Sequence, residues 1–145
     1  MPRISRTFET AAPPAAVIRY LAALSHAEQW DHATVRCVRV GVGPIEVGAT
    51  WYRESKIGGF RTGNTYTLEE LSPSRVAFRG RSKAIKSTET IDVSACGAGS
   101  RISYERNLNF DGAAALAAPV VELILRSTGR ETEVRMVSIL NSLRE

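Results

Sequence analysis

Cysteine and histidine are scarce: the 145 residues hold Cys37, Cys96, His26 and His32 and no others of either type. The cysteines lack metal-ligand spacing, and two histidines cannot complete the usual ligand sets, which argues against a structural zinc site. The longest greasy run, Ala113 to Leu125, is broken by Pro119 and Glu122. It is too short to span a bilayer and reads as a buried helix. The N-terminal Met1-Pro-Arg-Ile-Ser-Arg6 has no apolar signal-peptide core. No block of five or six like charges marks a disordered nucleic-acid tail. A nucleophile motif, a glycine-rich phosphate loop and a flavin or nicotinamide fingerprint are all missing, so no cofactor is expected. Internal repeats and low-complexity linkers are missing too.

What remains is an ordinary globular composition, 43% hydrophobic and 23% charged, with net charge +4. The length suits one domain over residues 1–145 and buries a core without disulfides or metals. A cytoplasmic protein with free thiols, monomeric or homodimeric and not inserted in a membrane, is the expectation.

Ile4, Arg6 and Phe8 alternate with Ser5, Thr7 and Glu9, which predicts a first strand. Pro13-Pro14 opens a helix whose apolar face is Val17, Ile18, Leu21 and Leu24. A short helix or turn covers Ser25 to Trp30. Six further strands follow: Thr34–Val42, Gly48–Ile57, Arg61–Leu71, Arg75–Ser82, Ile85–Ala95 and Arg101–Phe110. Gly58-Gly59 is a hairpin signal, and Ser72-Pro73-Ser74 and Cys96–Gly99 are turns. Asp111 is placed to cap a C-terminal helical region reaching Leu143, roughly 45 Å if continuous. Pro119 should kink it or mark the start of its main part. Its apolar stripe is expected to rotate, with Leu116, Val120, Leu123 and Ile124 on one side and Met136, Ile139, Leu140 and Leu143 further round.

Hairpin geometry sets register. Centring each turn places Trp51 opposite Tyr66, Arg53 opposite Asn64, Leu68 opposite Phe78, and Tyr66 opposite Gly80. It then places Phe78 near Ile91, Gly80 near Glu89, Val93 near Ile102, and Glu89 near Arg106. All share one parity, so they lie on one inward face. One end of that face is apolar (Val76, Phe78, Ile91, Val93, Ile102) and the other polar (Arg53, Asn64, Glu89, Arg106), with Gly80 leaving space beside Tyr66. A sheet face that only packs a core needs no polar end; one that lines a pocket does. Glu89 and Arg106 are either a ligand-contacting pair or an ion pair at a sheet end. The opposite face carries Arg75, Arg79, Arg81, Lys83 and Lys86 without interleaved aromatics, a solvated charged face or else a contact for nucleic acid or an anionic surface.

Four segments carry a resemblance. They are Phe8–Val17, with its paired prolines; Gln29-Trp30-Asp31; Gly43–Ala49, the loop into the third strand; and Leu68–Val76, a strand–turn–strand unit. In this order the chain resembles the START-like (SRPBCC) helix-grip superfamily, in its polyketide cyclase/dehydrase-like branch. The resemblance implies an α+β fold. Two short helices follow the first strand, and a curved antiparallel sheet of about seven strands wraps a long C-terminal helix. It also implies an internal cavity holding a hydrophobic, lipid- or polyketide-like molecule. Residues 119–130 would form its roof and the Val42–Val47 loop its gate.

The expected ligand-binding set is then Trp51, Arg53, Asn64, Tyr66, Phe78, Gly80, Glu89, Ile91, Tyr104, Arg106, Val120 and Ile124. A carrier or sensor is the leading function. The alternative is a cofactor-independent cyclase, aromatase or dehydratase. Glu89 would be its base, Tyr66 or Tyr104 an acid or oxyanion donor, and Arg53 or Arg106 the enolate stabiliser. His32 sits in the loop after Trp30 with no visible partner, so exposure or local satisfaction is the better reading than catalysis. Binding of specific nucleic acid is not expected.

Overall fold

The computed structural model describes residues 3–57, 60–83, 85–112, 116 and 118–143. Strand β1 (Arg3–Thr10) leads into helix α1 (Pro14–Ala22), a 3-10 turn (Leu24–His26) and helix α2 (Ala27–Trp30). Six strands follow: β2 (Thr34–Val40), β3 (Thr50–Ile57), β4 (Phe60–Leu71), β5 (Arg75–Arg81), β6 (Ile85–Cys96) and β7 (Gly99–Phe110). Helix α3 (Ala118–Asn141) ends the chain's regular structure. The strands form one seven-stranded antiparallel sheet in the order β1-β7-β6-β5-β4-β3-β2. This is the helix-grip architecture.

Local chemistry explains the element ends. Pro14 supplies a helical φ at the first turn of α1, where its missing N–H is no loss. The face of α1 that packs on the sheet is Ala16, Val17, Ile18, Leu21 and Ala22, all buried. Strand β2 stops at Val40, two residues before the predicted end, because Gly41 turns the backbone to φ +85°. Strand β3 begins at Thr50 rather than Gly48, which itself sits at φ +100°.

The register agrees with expectation at β3–β4 (Trp51 with Tyr66, Arg53 with Asn64), although the Gly58-Gly59 turn itself lies outside the described residues. It agrees at β4–β5 (Leu68 with Phe78, Tyr66 with Gly80) and at β6–β7 (Val93 with Ile102, Glu89 with Arg106). At β5–β6 it differs by two residues: Phe78 pairs with Glu89, Gly80 with Ser87, and Val76 with Ile91. The cause is a tighter turn, in which the Ser82 N–H donates to the Ile85 carbonyl at 2.9 Å. A shift of two preserves parity, so the inward face is unchanged.

Asp111 does not cap α3, which begins at Ala118 with Pro119 in its first turn. Residues 113–115, 117 and their part of the expected helical region lie outside the described set. The helix carries one continuous buried stripe rather than a rotating one: Val121, Leu125, Thr128, Thr132, Met136 and Leu140. It approaches β1 most closely at Gly129, where a Cβ would stand 3.1 Å from Ile4 Cγ2. Val121 and Leu125 precede Gly129 at four-residue steps and so share that face. Val120 (54% exposed) and Leu123 (65%) point to solvent instead.

Between sheet and helices lies the core, with Leu21, Leu24, Trp30, Trp51, Leu68, Phe78, Ile91, Ile102 and Leu125 all but removed from water. Each such side chain contributes about 1.5–3 kcal/mol.

Candidate functional site: a buried charge cluster under the last helix

The inward polar end of the sheet is wholly buried. Arg53, Glu89 and Arg106 are each at most 2% exposed, and Asn64 and Ser87 are buried beside them. Two arginines so placed require two anions, because an uncompensated buried charge costs several kcal/mol. Glu89 is one. The second is Asp31, 1% exposed, delivered from the end of α2.

The pairing is specific. Arg53 Nη1 donates to both Glu89 oxygens at 2.9 and 3.0 Å, its Nη2 donates to Asp31 Oδ2, and its Nε donates to Thr34 Oγ1 at 2.9 Å. Arg106 Nη1 donates to the same Asp31 oxygen at 3.3 Å, and its Nη2 to the Tyr66 hydroxyl at 3.3 Å. Glu89 and Arg106, opposite each other in register, approach only to 3.9 Å; each has its closer partners elsewhere. The Tyr104 hydroxyl donates to Glu89 Oε2 at 3.2 Å, and the Tyr66 hydroxyl donates to Ser87 Oγ at 3.1 Å. The Arg53 guanidinium lies 4.9 Å from the Tyr66 ring centre and 5.7 Å from that of Trp30, within cation–π range. Trp30 in turn meets Tyr104 edge-on at 5.9 Å.

Helix α3 matches the cluster. Its buried stripe is apolar at both ends and hydroxylic in the middle, where Thr132 Oγ1 donates to Asp31 Oδ1 at 3.3 Å. Thr132 also accepts from the His32 backbone N–H at 3.3 Å, while the rest of His32 is exposed.

Electrostatics follow from the geometry. Burial works to raise the Asp31 pKa, but Arg53 and Arg106 outweigh it, with Thr34 and the Ala33 N–H, and hold the carboxyl well below its usual range. Burial, reinforced by the Glu89 charge, keeps Tyr104 a neutral phenol far above its ordinary value. Burial likewise lifts the Cys37 thiol to about 12, so it stays protonated and unreactive. For both arginines burial opposes the charge, and the neighbouring acidic groups overcome it; both remain cationic.

Of the expected set, Trp51, Arg53, Asn64, Tyr66, Phe78, Glu89, Ile91, Tyr104 and Arg106 all lie buried on the inner side of the sheet, and Ile124 packs half-buried at its edge. Gly80 does not leave open space. The Tyr66 ring fills it, since a Cβ at Gly80 would fall 2.6–2.8 Å from the ring carbons. Val120 lies on the solvent face of α3; Val121 and Leu125 take the inward positions.

Asp31 had no assigned role in the sequence reading, and the local signal for it is an Asx turn. Its Oδ1 accepts from the Ala33 N–H at 3.1 Å and its Oδ2 from the Thr34 hydroxyl at 2.7 Å.

Several buried polar atoms in this region have no protein partner: the indole N–H groups of Trp30 and Trp51, Arg106 Nε, and Asn64 Oδ1. Native interiors leave few such groups unpaired.

The sequence profile of the family described as "Polyketide cyclase / dehydrase and lipid transport" matches residues 1–136. The chain belongs to this family. Among solved structures, the polyketide cyclase/dehydrase and lipid transport fold recurs in a protein from Thermus thermophilus (TM-score 0.79, 12% identity, 96% of this chain and 97% of that one). It recurs in a START superfamily protein from Mycobacterium smegmatis (TM-score 0.78, 11% identity, 98% and 99%). A third similar structure is the Zhui aromatase/cyclase from Streptomyces sp. R1128 (TM-score 0.70, 13% identity, 96% and 90%). At these identities the likeness establishes the fold alone. No curated protein matches the sequence. Among the described residues no helix is long and apolar enough to cross a membrane.

Proposed function

We propose that this protein binds an apolar, oxygen-bearing small molecule, lipid- or polyketide-like, between the inner sheet face and α3, as a carrier or sensor. The observation that carries the reading is the set of orphaned N–H donors on Trp30, Trp51 and Arg106, embedded among apolar and aromatic walls. A buried donor left without an acceptor costs about 1–3 kcal/mol. Carbonyl or phenol oxygens on a ligand would satisfy these groups, while its carbon skeleton would pack on Trp51, Phe78, Ile91 and Ile124. The family's description and the aromatase/cyclase neighbour support the same class of molecule.

The test uses an isosteric pair, 9-fluorenone and fluorene, which differ by one carbonyl acceptor. Titration against tryptophan fluorescence should give saturable quenching that is stronger for the ketone, and Trp51→Phe should narrow the difference. Absence of saturable quenching by either, with no retained molecule in a native mass spectrum of the purified protein, would overturn the reading.

A second reading, a cofactor-independent cyclase or dehydratase, draws support from the two buried phenols beside the arginines. Tyr66 accepts a hydrogen bond from Arg106, an arrangement that stabilises developing negative charge on oxygen. Glu89 suits the base role less well, because both its oxygens already accept hydrogen bonds. Turnover of a polyketone substrate that disappears in Tyr66→Phe and Arg106→Met, with binding and fold retained, would favour the enzyme.

A further inference from the structure

The outer face of the sheet bears a feature the interior reading does not use. Strand register sets Arg81 directly opposite Lys86, with Thr65 and Asn109 continuing the row on either side. Like charges in direct cross-strand register repel. The neighbouring row is Arg79, Thr88 and Asn107. Together these six side chains, without Thr65, line a cleft of about 280 Å³ in which every residue type can donate a hydrogen bond and none is a carboxylate.

Elsewhere on this face the cations are matched. Arg75 pairs with Asp92 at 2.6 Å and with Glu70 at 3.7 Å, and Arg79 pairs with Glu69 at 3.0 Å at the cleft's edge. Among the described residues, no ion pair involves Arg81 or Lys86, and both are exposed. The sheet thus keeps two facing cations unneutralised while pairing those a few residues away.

We propose that this cleft is a second ligand site, on the face opposite the interior cluster, for a phosphoryl group. A guanidinium, an ammonium, a hydroxyl and carboxamides arranged on a flat sheet can engage several oxygens of one multiply charged anion, which the two oxygens of a carboxylate cannot match. The group can be carried by a soluble molecule or by a lipid headgroup. Nucleic-acid bases are not part of the site, because no aromatic side chain lines it.

The experiment is an NMR titration of the isotopically labelled full chain with inorganic pyrophosphate at low ionic strength. A parallel arm measures co-sedimentation with phosphatidylglycerol vesicles against phosphatidylcholine vesicles. Saturable shifts should concentrate at residues 79–88 and 107–109. Arg81→Gln with Lys86→Gln should weaken binding about tenfold or more, as loss of two charge-assisted contacts requires. Lys56→Gln with Arg61→Gln removes the same charge from the same end of the sheet and should change it less than about twofold.

Binding of free pyrophosphate identifies a soluble anion as the source. Binding of the anionic vesicles alone, lost in the Arg81/Lys86 double variant, identifies a headgroup. Failure of both probes overturns the proposal. So does equal weakening by the two double variants, which would reduce the effect to net charge, or binding of single-stranded RNA with neither probe bound. Should the Arg81/Lys86 variant not fold, the location of the wild-type shifts decides alone.

Discussion

Arg106 donates from Nη1 to Asp31 Oδ2 at 3.3 Å, joining the last strand of the sheet to the end of α2 across 75 residues of chain. The same carboxylate receives Arg53, so two buried cations depend on it. Asp31→Asn leaves both arginines short of one anion and should destabilise the fold by about 3–5 kcal/mol. The pH dependence has a definite sign. The unfolded carboxyl takes up a proton near its ordinary 3.8, whereas the folded one resists until far lower pH. Wild-type stability from this group is therefore complete above the ordinary value and drains away as pH falls below it. Urea denaturation from pH 7 to pH 3 should show that acid slope in the wild type and a shallower one in Asp31→Asn.

Tyr104 gives the opposite limb. Its phenol is buried against Glu89 and stays protonated in the folded state well past the ordinary value of 10.0. The unfolded phenol ionises there, so stability from Tyr104 is complete below that value and is lost as pH rises above it. Tyr104→Phe should cost about 1 kcal/mol at neutral pH, from the lost hydrogen bond, and should soften the alkaline fall in stability. Denaturant midpoints at neutral and alkaline pH check both.

Gly80 exists as glycine because the Tyr66 ring crosses it. Gly80→Ala should displace that ring, uncoupling its hydroxyl from Ser87 and Arg106, at a cost of about 1–3 kcal/mol. Near-ultraviolet circular dichroism should register the moved ring, and urea unfolding the cost. An unchanged spectrum and midpoint would refute this account of the position.

Nearby residues on α3 should behave as opposites. Val120→Ser lies on the solvent side and should shift stability by less than about 0.5 kcal/mol. Leu125→Ala removes a side chain wholly withdrawn from water and should cost about 2–5 kcal/mol. Thermal or urea unfolding of the two variants distinguishes this helix orientation from one with Val120 inward.

Much of this was legible in the residues. Alternation at Ile4 and Phe8, at Val76 and Phe78, and at Glu89, Ile91 and Val93 carries the inward face, because a strand's period of two is a local property. Turn residues carried the register wherever the turn's length could be read. They misled at Ser82–Ile85, where a tighter turn draws the strands two residues along. The start of α3 was harder. Asp111 has the chemistry of a cap, but Ala118 and Pro119 begin the helix, and a run as uniformly apolar as residues 113–125 does not declare which side faces in.

The sequence alone determined the strands, their shared parity and the burial of Arg53, Glu89 and Arg106 on one face, since each depends on spacing along the chain. Only the tertiary structure decided which carboxylate each arginine meets, that Asp31 is the second anion, and that Tyr66 occupies the notch at Gly80. Those contacts join segments far apart in sequence, and their partners are chosen by distance and by the cost of leaving charge unpaired in a dry interior, for which no periodicity provides a signal.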